Sequence, residues 1–279
     1  MRLARFSYGD GQPSYGLVLD AAKAKPGEHG TANGTTQDGQ EQLIVAELAG
    51  HPISEGGAKL TGASYPLEEV RLLTPVVGSS KIVCVGRNYA DHIAELGNQR
   101  PEEPIIFLKP STAVCGPGDP IRRPAVSERV DYEGELAVVI GRISQDVPAE
   151  RAAEVIFGYT CANDVTARDL QAKDGQWTRA KGFDTFCPLG PWVETDIDPA
   201  DLELTTTLND QVRQRSRTSL LLHGVPALIA FVTQVMTLLP GDVLLTGTPA
   251  GVGPMVKGDE VSVTIEGIGT LANPVVDRD

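Results

Sequence analysis

The run DYEGELAVVIG, Asp131 to Gly141, constrains this chain more than any other segment. Its apolar stretch from Leu136 to Ile140 has the length of a strand and reads as one that is buried. Side chains two apart in a strand share a face, so Glu133 and Glu135 project together at its start. Two carboxylates held that close raise each other's cost of ionisation. A hard divalent cation such as Mg²⁺, Mn²⁺ or Ca²⁺ removes the conflict, because carboxylate oxygens are its preferred ligands. The competing reading is a solvated strand start with both glutamates facing water.

Length and charge narrow the field. A chain of 279 residues holds one large domain, or one with a small companion, and can bury a core without metal or disulfide. The net charge of −13 argues against sequence-independent binding to nucleic acid and against docking on an anionic membrane. An anionic small substrate stays open, since a few local basic residues override the global charge. Cys84, Cys115, Cys161 and Cys187 form no CxxC pair, which disfavours a zinc knuckle or a dithiol redox site. The start, MRLARFSYGDG, lacks the apolar stretch of a signal peptide, and no run approaches the roughly 18 apolar residues of a membrane span. A reducing cytoplasm is the expected location.

Two regions differ in texture. Residues 1–75 predict a small N-terminal domain: a hairpin in MRLARFSYGDGQPSYGLVLDA, an exposed loop from Ala21 to Gln42, and a short helix or strand over Leu43–Leu48. Residues 76–279 predict the main domain. KIVCVG and PIIFLKP are strands, and a helix between them opens at Asn88 or Tyr89 and ends at Gly97. Helices are expected over Ala149–Val155 and from His223 or Gly224 to Leu239, and strands over Tyr159–Val165 and Leu202–Leu208. Short strands with Gly-rich turns follow. Without regular βαβ alternation the mixture predicts an α+β fold.

Asp164, at the end of the strand in TCANDVTARDL, offers a third carboxylate, although an Asp there also suits a turn or helix cap. Lys181 lies among Trp177, Ala180, Gly182 and Phe183, where the alternative is a snorkelling surface lysine. His92 and Glu95 are three apart in an expected helix and so share a face. A carboxylate on one imidazole nitrogen fixes the tautomer and leaves the other nitrogen free to take a proton.

The segments CVGRNYADHIAEL, IIFLKPSTAV, DYEGELAVVIG, GYTCANDVTARDLQ, WTRAKGFDTFCPLGPWV and PGDVLLTGTPAGVG together resemble the fumarylacetoacetate hydrolase family, over about Lys81 to Val276. The resemblance implies a mixed β-sheet roll and a homodimer. It implies that Glu133, Glu135 and Asp164 hold one Mg²⁺ or Mn²⁺, and that Lys181 stands beside it. It implies that Arg87, Arg168, Gln171 and Thr248 bind a small 2-oxo acid substrate, and that His92 and Glu95 activate water from a short lid helix. The alternatives are a salt bridge for Arg168 and a turn role for Thr248. TGTPAGVG lacks the Gly-Lys-Ser/Thr ending of a nucleotide loop. The expected reaction is hydrolysis of the C–C bond of an acylpyruvate through an enolate. Decarboxylation of oxaloacetate, or isomerisation of a 2-hydroxydienoate such as 2-hydroxyhepta-2,4-diene-1,7-dioate in aromatic catabolism, uses the same groups. A non-catalytic binder would have lost Glu133, Glu135 or Lys181, and none is lost.

Overall fold

The computed structural model describes residues 1–21, 42–53 and 58–278. Most of the loop expected over Ala21–Gln42 lies outside the described residues. Among the described residues short strands dominate, and four α-helices punctuate them: α1 (Ala90–Glu95), α2 (Arg168–Asp174), α3 (Thr178–Lys181) and α4 (Val225–Val235). The fold is α+β with mixed sheets, as the sequence predicted. None of its described helices is long and apolar enough to cross a membrane.

The strand Gly134–Ile140 is central and every residue in it is buried. It pairs antiparallel with Ile156–Asn163 on one side and Val243–Leu245 on the other. Its two faces feed different cores. Leu136, Val138 and Ile140 pack with Leu228, Ile229 and Val232 of α4 and with Val263 and Ile265. Ala137 and Val139 pack with Ile82, Cys84, Val243 and Leu245. That double burial is why the run is continuously apolar instead of alternating. Beyond Val243–Leu245 the sheet continues through Ile82–Gly86, which is parallel to it, and Ile105–Lys109. In the other direction it runs through Cys187–Glu194 into Arg2–Tyr8, Ser14–Asp20, Leu43–Ala49 and Lys59–Pro66. The strands of the first 75 residues therefore extend the same hydrogen-bonded sheet, and Leu43–Ala49 is a strand. A further sheet places Gln211–Arg217, Glu203–Leu208, Glu260–Ile265, Gly269–Asp277 and Ile121–Arg123 side by side.

Two helices depart from expectation. Ala149–Glu154 is a 3-10 helix, not an α-helix, closing with Val155 N–H on the Ala152 carbonyl. The α4 helix stops at Val235 instead of Leu239, because Met236 turns extended and Leu238 exchanges both backbone hydrogen bonds with Ser144. Its buried residues Val225, Leu228, Ile229 and Val232 keep the expected spacing.

The turn before Val243–Leu245 is pinned by one carboxylate. Asp242 is fully buried. Its Oδ1 accepts from Ser80 N (2.9 Å), Ser80 Oγ (2.8 Å) and Lys81 N (3.1 Å). Its Oδ2 accepts from Lys81 Nζ (2.6 Å) and Leu239 N (2.8 Å). Burial opposes its ionisation, but these donors outweigh burial and hold the carboxyl below the usual range. A depressed folded-state pKa contributes stability that is present above the unfolded value of about 3.9 and is lost as pH falls through the folded value. Asp242→Asn is expected to cost about 3 kcal/mol at pH 7, since the amide nitrogen cannot accept from Lys81 and Leu239. Urea titrations of both proteins at several pH values should show the gap closing below about pH 4; a gap independent of pH would exclude this role.

Candidate active site

The register of the central ladder builds the site. Gly134 pairs with Asn163 and Glu135 with Ala162, so the residues just beyond the ladder meet. Glu133 N donates to Asn163 Oδ1 (2.9 Å), and Asp164 N donates to the Glu133 carbonyl (2.8 Å). Candidate ligand atoms of Glu133, Glu135 and Asp164 consequently lie within 4.8 Å of one another, and all three residues are buried. The solvated alternative for the glutamate pair is thereby excluded. The spacer between them must be glycine: a Cβ on Gly134 would sit 2.1 Å from Thr206 Oγ1.

Cations hold this acidic group unevenly. Lys181, at the end of α3, is buried, and its Nζ bridges Glu133 Oε2 (2.8 Å) and Asp164 Oδ2 (2.6 Å). Burial disfavours its charge, but the Asp164 and Glu133 carboxylates prevail and hold its pKa above the ordinary lysine value. Arg168 opens α2. It grips Asp131 through Nε (2.9 Å), Glu133 through Nη2 (2.6 Å) and Gln171 through Nη1 (2.7 Å). The Arg168 salt bridge is thus to Asp131 and Glu133; Asp169 accepts from Ser127 Oγ (2.6 Å) and Glu128 N (3.1 Å) instead. Burial opposes ionisation of Glu133, but Lys181, Arg168 and His92 keep its carboxyl well below the usual range.

Glu135 is the exception. Among the described residues no ammonium or guanidinium pairs with it, and its recorded donor is the Gly247 N–H (2.6 Å). Burial, then the Asp164 and Glu133 charges, push its pKa well above the usual range. Asp164 Oδ1 lies 2.7 Å from Lys109 Nζ, an ion pair, but takes no hydrogen bond from it, because the three N–H groups of that ammonium go to the carbonyls of Val165, Lys181 and Phe186. A buried carboxylate with no paired cation, beside a buried oxygen with no hydrogen bond, is a donor set that fits a hard divalent ion.

The Gly-rich segment, not a nucleotide loop, clasps two of the acids. Gly247 N–H holds Glu135, and Gly251 N–H holds Glu95 Oε1 (3.0 Å). Gly247 and Gly251 both have left-handed backbones (φ 103° and 100°), and a Cβ on Gly251 would lie 2.1 Å from the Arg213 carbonyl. Thr248 Oγ1 donates to the Gly134 carbonyl (2.9 Å) and accepts from Gln214 Nε2 (2.8 Å). Its one proton is therefore spent on ordering the glycine between the two glutamates.

Helix α1 carries the second candidate group. Gly97 (φ 64°) ends it: Gly97 N–H bonds the Ala94 carbonyl and Asn98 N–H bonds the Ile93 carbonyl. His92 is buried, and its Nδ1 lies 3.3 Å from Glu95 Oε2. The other ring nitrogen has no partner among the described residues. A cleft of about 250 Å³ joins these parts. Its wall includes His92, Glu133, Glu135 and Lys181, together with Arg87, Arg168, Gln171 and Thr248. Asp164 and Glu95 do not line it; Asp164 is bonded to Lys181 and Glu95 to His92.

The sequence reading missed Lys109. It ends the strand Ile105–Lys109, is fully buried, and donates to the carbonyls of Val165 (3.1 Å), Lys181 (2.6 Å) and Phe186 (2.8 Å) while facing Asp164. The available signal was a lysine closing an apolar strand just before proline, where a snorkelling reading is the default.

Residues 81–276 match the family described as Fumarylacetoacetate (FAA) hydrolase C-terminal, and residues 1–75 match Rv2993c-like, N-terminal. The chain belongs to the fumarylacetoacetate hydrolase family of enzymes. It is 59% identical over 238 residues to Protein Rv2993c of Mycobacterium tuberculosis, covering 84% of this chain and 89% of that one. It is 45% identical over 222 residues to Oxaloacetate tautomerase Fahd2a, mitochondrial, of Rattus norvegicus, covering 76% and 71%. The crystal structure of 5-carboxymethyl-2-hydroxymuconate delta-isomerase from Mycobacterium smegmatis matches with a TM-score of 0.85 and 54% identity over all of both chains.

Proposed function

We propose that the enzyme moves a proton between oxygen and C3 of a 2-oxo acid, interconverting enol and keto forms of an oxaloacetate-like diacid. One observation carries the reading: a single cleft places a buried histidine, one ring nitrogen of which has no partner among the described residues, beside Glu133, Glu135 and Lys181. Lys181 puts positive charge where the C2 oxygen gains electron density. Arg168 has donors left over for the substrate's C1 carboxylate. His92 gives a proton to C3 or takes one from it, while Glu95 fixes its tautomer. Glu133, Glu135 and Asp164 would hold Mg²⁺ or Mn²⁺, which would supply Lewis acidity toward the 2-oxo acid. The reading includes a homodimer, which the family resemblance supports, and a reducing cytoplasm, which four free cysteines support.

Hydrolysis of an acylpyruvate, the reaction expected first from the sequence, becomes the second reading. The isomerase and tautomerase names of the two relatives support the changed order. The observation that favours hydrolysis is the Glu95-anchored His92, which is suited to taking a proton from water. Water would add to the C4 carbonyl, the C3–C4 bond would break, and C3 would take the proton.

The test is an NMR product assay with Mg²⁺ or Mn²⁺, offering oxaloacetate and acetylpyruvate in parallel. Enol–keto interconversion above the metal-only background, with no carbon bond broken, is the expected result. Acetate plus pyruvate from acetylpyruvate would make the second reading primary. Pyruvate from oxaloacetate above background would indicate a decarboxylase.

A further inference from the structure

Arg87 lines the same cleft as Glu133, Glu135 and Lys181, yet it is bonded to none of them. Arg168 and Lys181 are already committed to Asp131, Glu133 and Asp164. Among the described residues, by contrast, no carboxylate lies within salt-bridge distance of Arg87 and no acceptor takes its N–H groups. A guanidinium facing a cleft with its fork of donors unused is suited to a planar anion arriving from solution.

The side chain is nevertheless held in place. Its Cζ lies 5.9 Å from the centroid of the Trp177 ring. Trp177 packs flush against the end of the strand Ile82–Gly86, because a Cβ on Gly86 would lie 2.5 Å from the indole. The same ring stands edge-on to Phe107, with centroids 5.3 Å apart and planes at 77°. Behind Arg87, Asn88 locks the backbone: its Nδ2 donates to the carbonyls of His223 (3.0 Å) and Thr246 (2.8 Å), and its Oδ1 accepts from His223 N (2.9 Å).

The backbone of Arg87 is also unusual. Its φ of 58° is left-handed, a conformation that glycine adopts freely and other residues adopt at a cost. An arginine stands where glycine would fit without strain, so the reason for it lies in the side chain. The α3 turn links the two halves of the cleft, since Lys181 N donates to the Trp177 carbonyl (3.0 Å). One turn thus presents Lys181 toward the triad and the ring under Arg87.

We propose that Arg87, seated on Trp177, receives the carboxylate at the far end of the substrate and so sets a preference for 2-oxo diacids over 2-oxo monoacids. This rests on the reading of the cleft as a 2-oxo acid site. Arg87 is the specificity residue and Trp177 a positioning residue.

The experiment measures kcat and KM for oxaloacetate and for acetylpyruvate with wild type, Arg87→Met, Arg87→Gly and Trp177→Phe. Arg87→Gly keeps the left-handed backbone free of strain and guards against misfolding. Both Arg87 variants should lower the oxaloacetate-to-acetylpyruvate ratio of kcat/KM by about 10- to 100-fold, the worth of a charge-assisted contact. Trp177→Phe should lower it less, through KM and not kcat. Equal losses on both substrates, or an unchanged ratio, would overturn the proposal. If wild type turned over neither compound, the proposed reaction would fail, and equilibrium binding of 2-oxoglutarate against 2-oxobutyrate would decide the role of Arg87 separately. A wild-type preference for the diacid that vanishes in Arg87→Met supports the role. No preference, or no binding of either, removes it.

Discussion

Glu135→Gln is expected to abolish turnover while leaving the metal-free protein at least as stable as the wild type. The two effects have one cause. Glu135 is a buried carboxylate with no cation of its own among the described residues, and Asp164 and Glu133 stand close by. Without an ion that arrangement costs free energy, and a neutral amide of the same shape relieves it. With an ion, the same carboxylate is a ligand that the amide replaces poorly. Activity should fall by about 10³-fold or more, the scale of losing the main electrostatic stabiliser of a developing anion. An ion at a hundredfold excess over its Kd stabilises the native wild type by about 2.7 kcal/mol. Thermal melts with and without Mn²⁺ should show that gain in wild type and little of it in Glu135→Gln. Asp164→Ala should also lose the gain, but it leaves Lys109 without its carboxylate and Lys181 with Glu133 alone, and should be less stable in the absence of metal. A Glu135→Gln protein that kept both activity and the metal-linked shift would remove the metal site from the account.

His92→Ala is expected to separate chemistry from metal binding. His92 lines the cleft but is not one of the clustered carboxylates, and its tie is to Glu95 and through it to Gly251. Loss of a positioned general acid–base group costs about 10²- to 10⁴-fold in rate. The Mn²⁺-linked rise in Tm should persist. Glu95→Gln should cost less, since the imidazole remains and only its orientation is loosened. Unchanged rates in His92→Ala would assign proton transfer to another group.

Much of the site was legible because each piece is local. The like charges of Glu133 and Glu135 before an apolar run, the three-residue spacing of His92 and Glu95, and the helix-ending Gly97 are short-range signals. What stayed hidden depends on pairing between distant segments. Lys109 looks like an ordinary strand-end lysine until Ile105–Lys109 is set near Asp164 and the Lys181 carbonyl. The threonine of TGTPAGVG looks free to meet a substrate until Gln214 and Gly134 take up its hydroxyl. The α4 helix carries an apolar pattern past Val235, but a backbone pairing with Ser144 ends it first. The joining of the first 75 residues to the central sheet, through Arg2 and Leu3 on Glu194 and Val193, has no local signature at all.

Tautomerisation and hydrolysis share one step, protonation or deprotonation at C3 of a 2-oxo acid. The most direct measurement of the central claim is therefore exchange of C3 protons into D₂O, followed by NMR with Mg²⁺ or Mn²⁺, for wild type and for Glu135→Gln and His92→Ala. The account predicts exchange well above the metal-only background in wild type and near that background in both variants. Metal-bound wild type that exchanged no C3 proton of any 2-oxo acid offered would contradict it.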